Sequence, residues 1–225
     1  MTLPGAQDKA RAVREMFDGI APRYDLVNRI MTFRMDVGWR RRCVRSLRLK
    51  PGEVVADVAC GTGDFCREIE RTGACAIGLD FALEMLRAAR TRAPLVQGDA
   101  LKLPLKDASI DGITCGFALR NVTDIGSLFD EFARVLRTGG RVAILEVSRP
   151  HNPLLRWGHH VYFDRVVPVV GGLLSDADAY RYLPESAAYL PSTAELLDRL
   201  VLAGFTDVSA RQLGPGAAQM LTGAR

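Results

Sequence analysis

The residues best suited to chemistry lie between positions 57 and 121. Asp57-Val-Ala-Cys-Gly61-Thr62-Gly63-Asp64 sits between a β-branched run and a helical pattern, where glycines let backbone N–H groups approach a ligand closely. A tight turn with no ligand gives the same local pattern. The downstream acid tips the balance: Asp80 ends the next apolar run, 17 residues after Gly63, where a carboxylate can accept hydrogen bonds from both hydroxyls of a ribose. The third glycine of a dinucleotide fingerprint is missing, with Cys66 in its place, which argues against NAD. Asp99, in Gln97-Gly-Asp-Ala100, follows a third short run; its side chain and the N–H of Ala100 can read an adenine edge. An exposed turn residue is the plain alternative there.

These residues need a scaffold. Residues 53–59, 74–80, 95–97, 110–115 and 142–147 read as strands, and residues 83–92 and 125–136 carry apolar positions at helical spacing. Such alternation predicts an α/β fold with a mostly parallel sheet. Residues 8–48 show apolar spacing for two or three helices and no strand-like run. Residues 1–50 are therefore expected as an N-terminal helical extension and 51–225 as the α/β domain, with Pro51-Gly52 turning between them. Residues 151–191, punctuated by prolines and by Gly171-Gly172, are too long for a plain connection, and a helical lid is expected. A helix over 193–203 and strands near 208–212 and 217–222 complete the chain, the last two as an antiparallel hairpin at the sheet edge.

With 225 residues, 48% of them hydrophobic, the chain can bury its own core, and a formal charge of +4 gives no reason to expect nucleic acid as a partner. No apolar run approaches the ~18 residues of a spanning helix. The first residues lack the pattern of a secretory signal, so a cytoplasmic protein is expected. Five cysteines without a C-x-x-C pair fit neither a disulfide framework nor a zinc knuckle, and His151, His159 and His160 have no carboxylate at ligand spacing, so no metal is expected. The densest basic run is Arg40, Arg41, Arg42, Arg45 and Arg48. It reads as a solvated helix face opposite Trp39, Cys43, Val44 and Leu47, or as a weak contact with a membrane surface.

The order of Gly-rich loop, ribose acid and adenine-side acid resembles the class I S-adenosylmethionine-dependent methyltransferases. Four further stretches narrow the resemblance to the quinone-biosynthesis C-methyltransferases: Tyr24-Asp-Leu-Val-Asn28, Phe117-Ala-Leu-Arg-Asn-Val-Thr-Asp124, Arg134-Val-Leu-Arg-Thr-Gly-Gly140 and Ala179-Tyr-Arg-Tyr-Leu-Pro-Glu-Ser186. It runs from about Met16 to the last strand. The resemblance implies a Rossmann-like seven-stranded sheet, S-adenosylmethionine as donor, S-adenosylhomocysteine as product, and a prenylated quinol methylated at a ring carbon, either demethylmenaquinol or its benzoquinol counterpart. It implies that Asp57, Gly61, Thr62, Gly63, Asp80, Asp99, Ala100 and Gly116 hold the donor, that Arg120 and Asn121 lie beside it, and that Tyr24 faces the acceptor.

In that family the arginine is thought to act as a base through a water. A guanidinium stays protonated in proteins, so Arg120 suits stabilising a phenolate better; a surface ion pair with Asp124 is the alternative. In the lid, Tyr162, Tyr180 and Tyr182, with Phe163 and Tyr189, either line an apolar acceptor pocket or pack the lid's own core. The sequence departs from the family where Arg34-Met-Asp36-Val37 replaces Gly-x-His-Arg and where the last strand lacks a histidine. A phenolic or polyketide acceptor of secondary metabolism thus stays open, as does a non-catalytic scaffold of a quinone-biosynthesis complex. A homodimer and a peripheral contact with the inner face of a membrane complete the expected partners.

Overall fold

The computed structural model of the chain describes residues 6–148, 150, 152–162, 165, 167, 186, 187 and 189–225. Helices α1 (Ala6–Ile20), α2 (Tyr24–Met31) and α3 (Met35–Ser46) come first. Then follow β1 (Val54–Val58), α4 (Asp64–Glu70), β2 (Cys75–Asp80), α5 (Leu83–Ala88), β3 (Leu95–Gln97) and β4 (Ile110–Gly116). A short 3-10 turn, Leu119–Asn121, leads into α6 (Ile125–Val135) and β5 (Leu136–Val147). The remaining described elements are α7 (Pro153–Val161), α8 (Thr193–Leu202), β6 (Thr206–Leu213) and β7 (Ala218–Ala224).

The seven strands form one sheet in the order β3-β2-β1-β4-β5-β7-β6. The first five run parallel, and β7 is antiparallel to both β5 and β6. The expected terminal hairpin is present at the sheet edge, with β7 between β5 and the outermost β6. The chain order reverses beside β1, between β2 on one side and β4 on the other, which opens a crevice at the carboxyl ends of these strands.

Both sheet faces are covered. On one, Leu128, Phe129 and Phe132 of α6 and Leu196 and Leu200 of α8 are fully buried against Ile113, Ile144 and Leu221. On the other, Trp39, Cys43, Val44 and Leu47 of α3 and Phe65, Cys66 and Ile69 of α4 pack against Val55, Ala76 and Ala143. The helix ends are set locally: Asp124 caps α6 by accepting the Ser127 N–H, and Ser192 with Glu195 forms a capping box at α8. A third cluster, with Ile20, Val27 and Met31 against Ala82 and Met85, seats α1 and α2 beside α5.

Two expectations need correction. The helix expected over residues 83–92 stops at Ala88, because Arg90 donates its N–H to the Thr62 carbonyl at 3.1 Å and the chain turns back over the Gly-rich loop. β5 begins at Leu136, six residues before the expected Val142, its register with β4 shifting between the Ile110–Leu136 and Gly112–Arg141 pairs. Of the expected lid, α7 and single later residues are described; Phe163, Tyr180, Tyr182 and Gly171-Gly172 lie outside the described residues. No helix among the described residues is long and apolar enough to cross a membrane.

Candidate active site

Two cavities meet at the carboxyl ends of the parallel strands. The smaller, about 180 Å³, is walled by Gly61 after β1, Asp80 at the end of β2, Asp99 and Ala100 after β3, and Gly116 at the end of β4. The larger, about 390 Å³, lies under α2 and α7 and is mostly apolar, with Met31, Trp39 and Tyr162 among its walls and Arg40 and Arg120 as its cations. Phe17, Tyr24, Phe117 and Asn121 line both. The two cavities therefore adjoin at these four side chains.

The smaller cleft has largely apolar walls with one half-buried carboxylate, Asp80, fixed among them. Asp80 accepts the Gly61 N–H at 2.7 Å and the Ala82 N–H at 2.9 Å, which fixes the carboxylate and leaves it lone pairs for further donors. Burial pushes its pKa up, and those N–H groups pull it back down. Gly61 has φ +53° and Gly63 φ +79°, the left-handed conformation that glycine adopts without cost. Gly116 is required by closeness: a Cβ there would meet the Phe65 ring at 2.7 Å. Asp99 accepts the Leu101 N–H at 2.9 Å and is exposed, so it is both turn residue and cleft wall.

Three residues expected on the donor side do not reach that wall. Asp57 lies beneath the loop, where it accepts the Thr114 hydroxyl at 2.8 Å and the Cys66 thiol at 3.4 Å, and burial pushes its pKa up to about 7. Thr62 donates its hydroxyl to Asp25 of α2, tying the loop to the N-terminal helices. Gly63 packs on Thr91, whose Cγ2 a Cβ would meet at 2.9 Å. These three shape the loop from behind, a division that spacing alone does not reveal.

Arg120 and Asn121 follow β4 on the 3-10 turn, Asn121 lining both cavities and Arg120 the larger one. Arg120 is 6% exposed and donates to Glu146 Oε1 at 2.6 Å; its alternative partner Asp124 caps α6 instead. Glu146 is fully buried in β5, also accepts the Val147 N–H at 2.7 Å, and leaves Oε2 without a partner. Asn121 donates to the Phe117 carbonyl at 3.4 Å, and its Oδ1 is likewise buried and unpartnered. Phe117 holds φ +57°, a strained value for an aromatic residue, and its ring lies 5.9 Å from the Arg120 guanidinium. The Tyr24 hydroxyl is pushed up in pKa by burial, with Arg40 and Arg120 opposing.

Several of these groups were not anticipated. Glu146 carries one signal in the sequence, a lone acid inside the apolar run Val142-Ala-Ile-Leu-Glu-Val147. Arg40 is no solvated residue: it is 6% exposed, pairs with Asp36, approaches Asp64 at 3.4 Å, and lies 5.8 Å from both the Phe65 and Phe117 rings. Arg29 completes the network through Asp36 and through Asp64 at 2.7 Å. Burial alone would raise Asp64, but Arg40 and Arg29 hold it below the usual carboxylate range. Tyr162 lines the larger cavity and also donates to the Met31 carbonyl at 2.8 Å, so it both packs and faces the cavity. Tyr189, by contrast, is 63% exposed and lines neither.

Comparison with known proteins identifies the family of the chain. A demethylmenaquinone methyltransferase of Roseiflexus castenholzii is 47% identical over 229 residues, covering 98% of this chain and 96% of the relative. A ubiquinone/menaquinone biosynthesis C-methyltransferase UbiE of Syntrophotalea carbinolica is 40% identical over 221 residues, covering 94% and 93%. Among solved structures, a SAM-dependent methyltransferase of Thermotoga maritima, described as a possible histamine N-methyltransferase, superposes with a TM-score of 0.67 at 21% identity, over 94% of this chain and 98% of that one, a likeness of fold. The profile of the ubiE/COQ5 methyltransferase family matches residues 5–225, and the chain belongs to that family.

Proposed function

We propose that this chain transfers the methyl group of S-adenosylmethionine to a ring carbon of a demethylated prenyl quinol, demethylmenaquinol or its benzoquinol counterpart. The observation that carries the reading is the shared wall: a cleft with an anchored carboxylate and an apolar cavity with a buried cation meet at Phe17, Tyr24, Phe117 and Asn121. The names of the relatives supply the acceptor class.

The residues fit the donor. Asp80 is held by two backbone N–H groups with lone pairs to spare for ribose hydroxyls, and Asp99 with the Ala100 N–H, both on the cleft wall, would read an adenine edge. Asp57, Thr62 and Gly63 act behind them by holding the loop in shape. When bound, the donor supplies a sulfonium methyl, open to in-line attack by an electron-rich carbon.

The chain's own part is positioning and electrostatics. The Arg120 guanidinium stabilises the phenolate left when the acceptor hydroxyl gives its proton to water, which raises electron density on the ortho carbon; once that carbon is methylated, its own proton returns to the oxygen and restores the aromatic quinol. Glu146 holds the guanidinium in place, and the orphaned Asn121 Oδ1 is ready to accept a hydroxyl of the acceptor or a water. The apolar walls of the larger cavity exclude bulk water from the transfer. Its volume, about 390 Å³, lies in the range of small-molecule sites and suits an aromatic ring with the first part of a tail.

Incubation with methyl-labelled donor and a panel of acceptors tests the reading: demethylated naphthoquinols and benzoquinols with and without prenyl tails, and simple phenols. Label should enter the prenylated quinols preferentially. Transfer confined to simple phenols would place the enzyme in a different pathway, and no transfer at all would favour a scaffold.

A further inference from the structure

The helices above the larger cavity leave an unusual amount of apolar surface uncovered. α2 turns Val27 and Met31 inward, whereas Leu26, Ile30 and Phe33, spaced along and just past its outer face, are 57%, 44% and 72% exposed. On α7, Leu154 and Trp157 are 76% and 68% exposed. The two surfaces adjoin: the Tyr162 ring lies 6.0 Å from the Phe33 ring, and its hydroxyl is bonded to Met31. Phe33 and Leu154 also line the larger cavity, so the patch rims its mouth.

Among the described residues of α2, α7 and their ends, the exposed charges are arginines. Exposed Arg23 and Arg34 flank α2, and exposed Arg156 lies on α7 between Leu154 and Trp157. α7 contains no acid, and the one acid of α2, Asp25, is engaged by Thr62 and faces Arg67 at 4.0 Å. Large apolar side chains in one patch mark an interaction site. A second copy docked about a two-fold axis would set arginines against arginines. An anionic lipid surface offers phosphates to the arginines and acyl chains to the apolar residues.

We propose that this face docks on an anionic phospholipid bilayer, with Leu26, Ile30, Phe33, Leu154 and Trp157 entering the interfacial layer and the cavity opening directly to lipid. The purpose of such docking rests on the prenyl-acceptor reading, since a greasy acceptor then enters without crossing water. The docking itself is measured with neither donor nor acceptor present, so the two readings fail separately. It also differs from the membrane contact expected at the basic run of α3, where Arg40 is buried and Arg41 pairs with Glu68.

The test is co-sedimentation of the full chain with vesicles of phosphatidylcholine alone and with phosphatidylglycerol added. Binding to the anionic vesicles is expected, with a blue shift and lipid-borne quenching of tryptophan emission, because Trp157 is exposed whereas Trp39 is buried. Leu26→Ser with Trp157→Ser should lower vesicle partition by roughly tenfold or more and leave turnover of a short-chain, water-soluble acceptor unchanged. Leu202→Ser, at a still more exposed leucine on α8, should bind as the unmodified chain does. Three results would overturn the proposal: no binding to any vesicle; loss of binding on Arg42→Glu with Arg45→Glu but not in the apolar variant; or a dimer in sedimentation velocity that the apolar variant dissolves.

Discussion

Replacing Asp80 by alanine removes the carboxylate that both anchors Gly61 and faces the smaller cleft. Two charge-assisted hydrogen bonds to the donor are lost at ~1.5–3 kcal/mol each, so affinity for S-adenosylhomocysteine by calorimetry should fall at least about tenfold. Unchanged affinity would remove Asp80 from the donor site. Arg120→Lys keeps a cation but loses the planar fork that meets Glu146, so donor affinity should hold while kcat falls. Glu146→Gln should lower kcat in the same direction, because it releases the guanidinium. Asp57 gives a different signature. Its pKa of about 7 means that the folded protein keeps a proton which the unfolded chain releases above about pH 4. Stability is therefore lost as pH rises from about 4 to about 7, and Asp57→Asn, neutral throughout, lacks that loss. Denaturation at about pH 5 and about pH 8 should show a smaller drop in the variant, by up to about 3 kcal/mol. Sequence spacing was enough to place Asp80 and Arg120, since each ends or follows a strand. It could not tell Asp57 from Asp80 by role, because burial depth depends on Thr114 from β4, which lies 57 residues away.

At the scale of elements, the N-terminal helices act as a roof over the cleft. Asp18 of α1 accepts the Glu84 N–H at 2.9 Å, capping α5 where Ala82 has no side chain to do so, and Arg14 lies 5.4 Å from the Phe81 ring. Asp18→Ala should cost about 1 kcal/mol in stability. It should also weaken donor binding modestly, because α1 supplies Val13 and Phe17 to the cleft wall; equal melting temperatures and affinities would show that α1 is not fastened there. The strands and the helices of α4, α6 and α8 were legible because apolar period and turn residues agree in them. The end of α5 and the start of β5 were not. Each is set by a contact across the fold, Arg90 with Thr62 and Leu136 with Ile110, that outweighs local preference.

For the whole molecule, alternation of strand and helix was enough to foresee a mostly parallel sheet, since parallel neighbours need crossovers. The placement of β7 between β5 and β6 follows from long-range pairing that no local pattern encodes. That sheet order brings the ends of β1, β2 and β4 to one crevice and lets two cavities share Phe17, Tyr24, Phe117 and Asn121. The central claim is that a methyl group crosses this wall to carbon. The direct measurement supplies donor with a carbon-13 methyl and a demethylated prenyl naphthoquinol in vesicles, then locates the label by nuclear magnetic resonance. The account predicts one labelled methyl bonded to a ring carbon for each S-adenosylhomocysteine released, and that yield falling with Arg120→Lys. A labelled methyl ether on oxygen, or S-adenosylhomocysteine released without any labelled quinol, would contradict it.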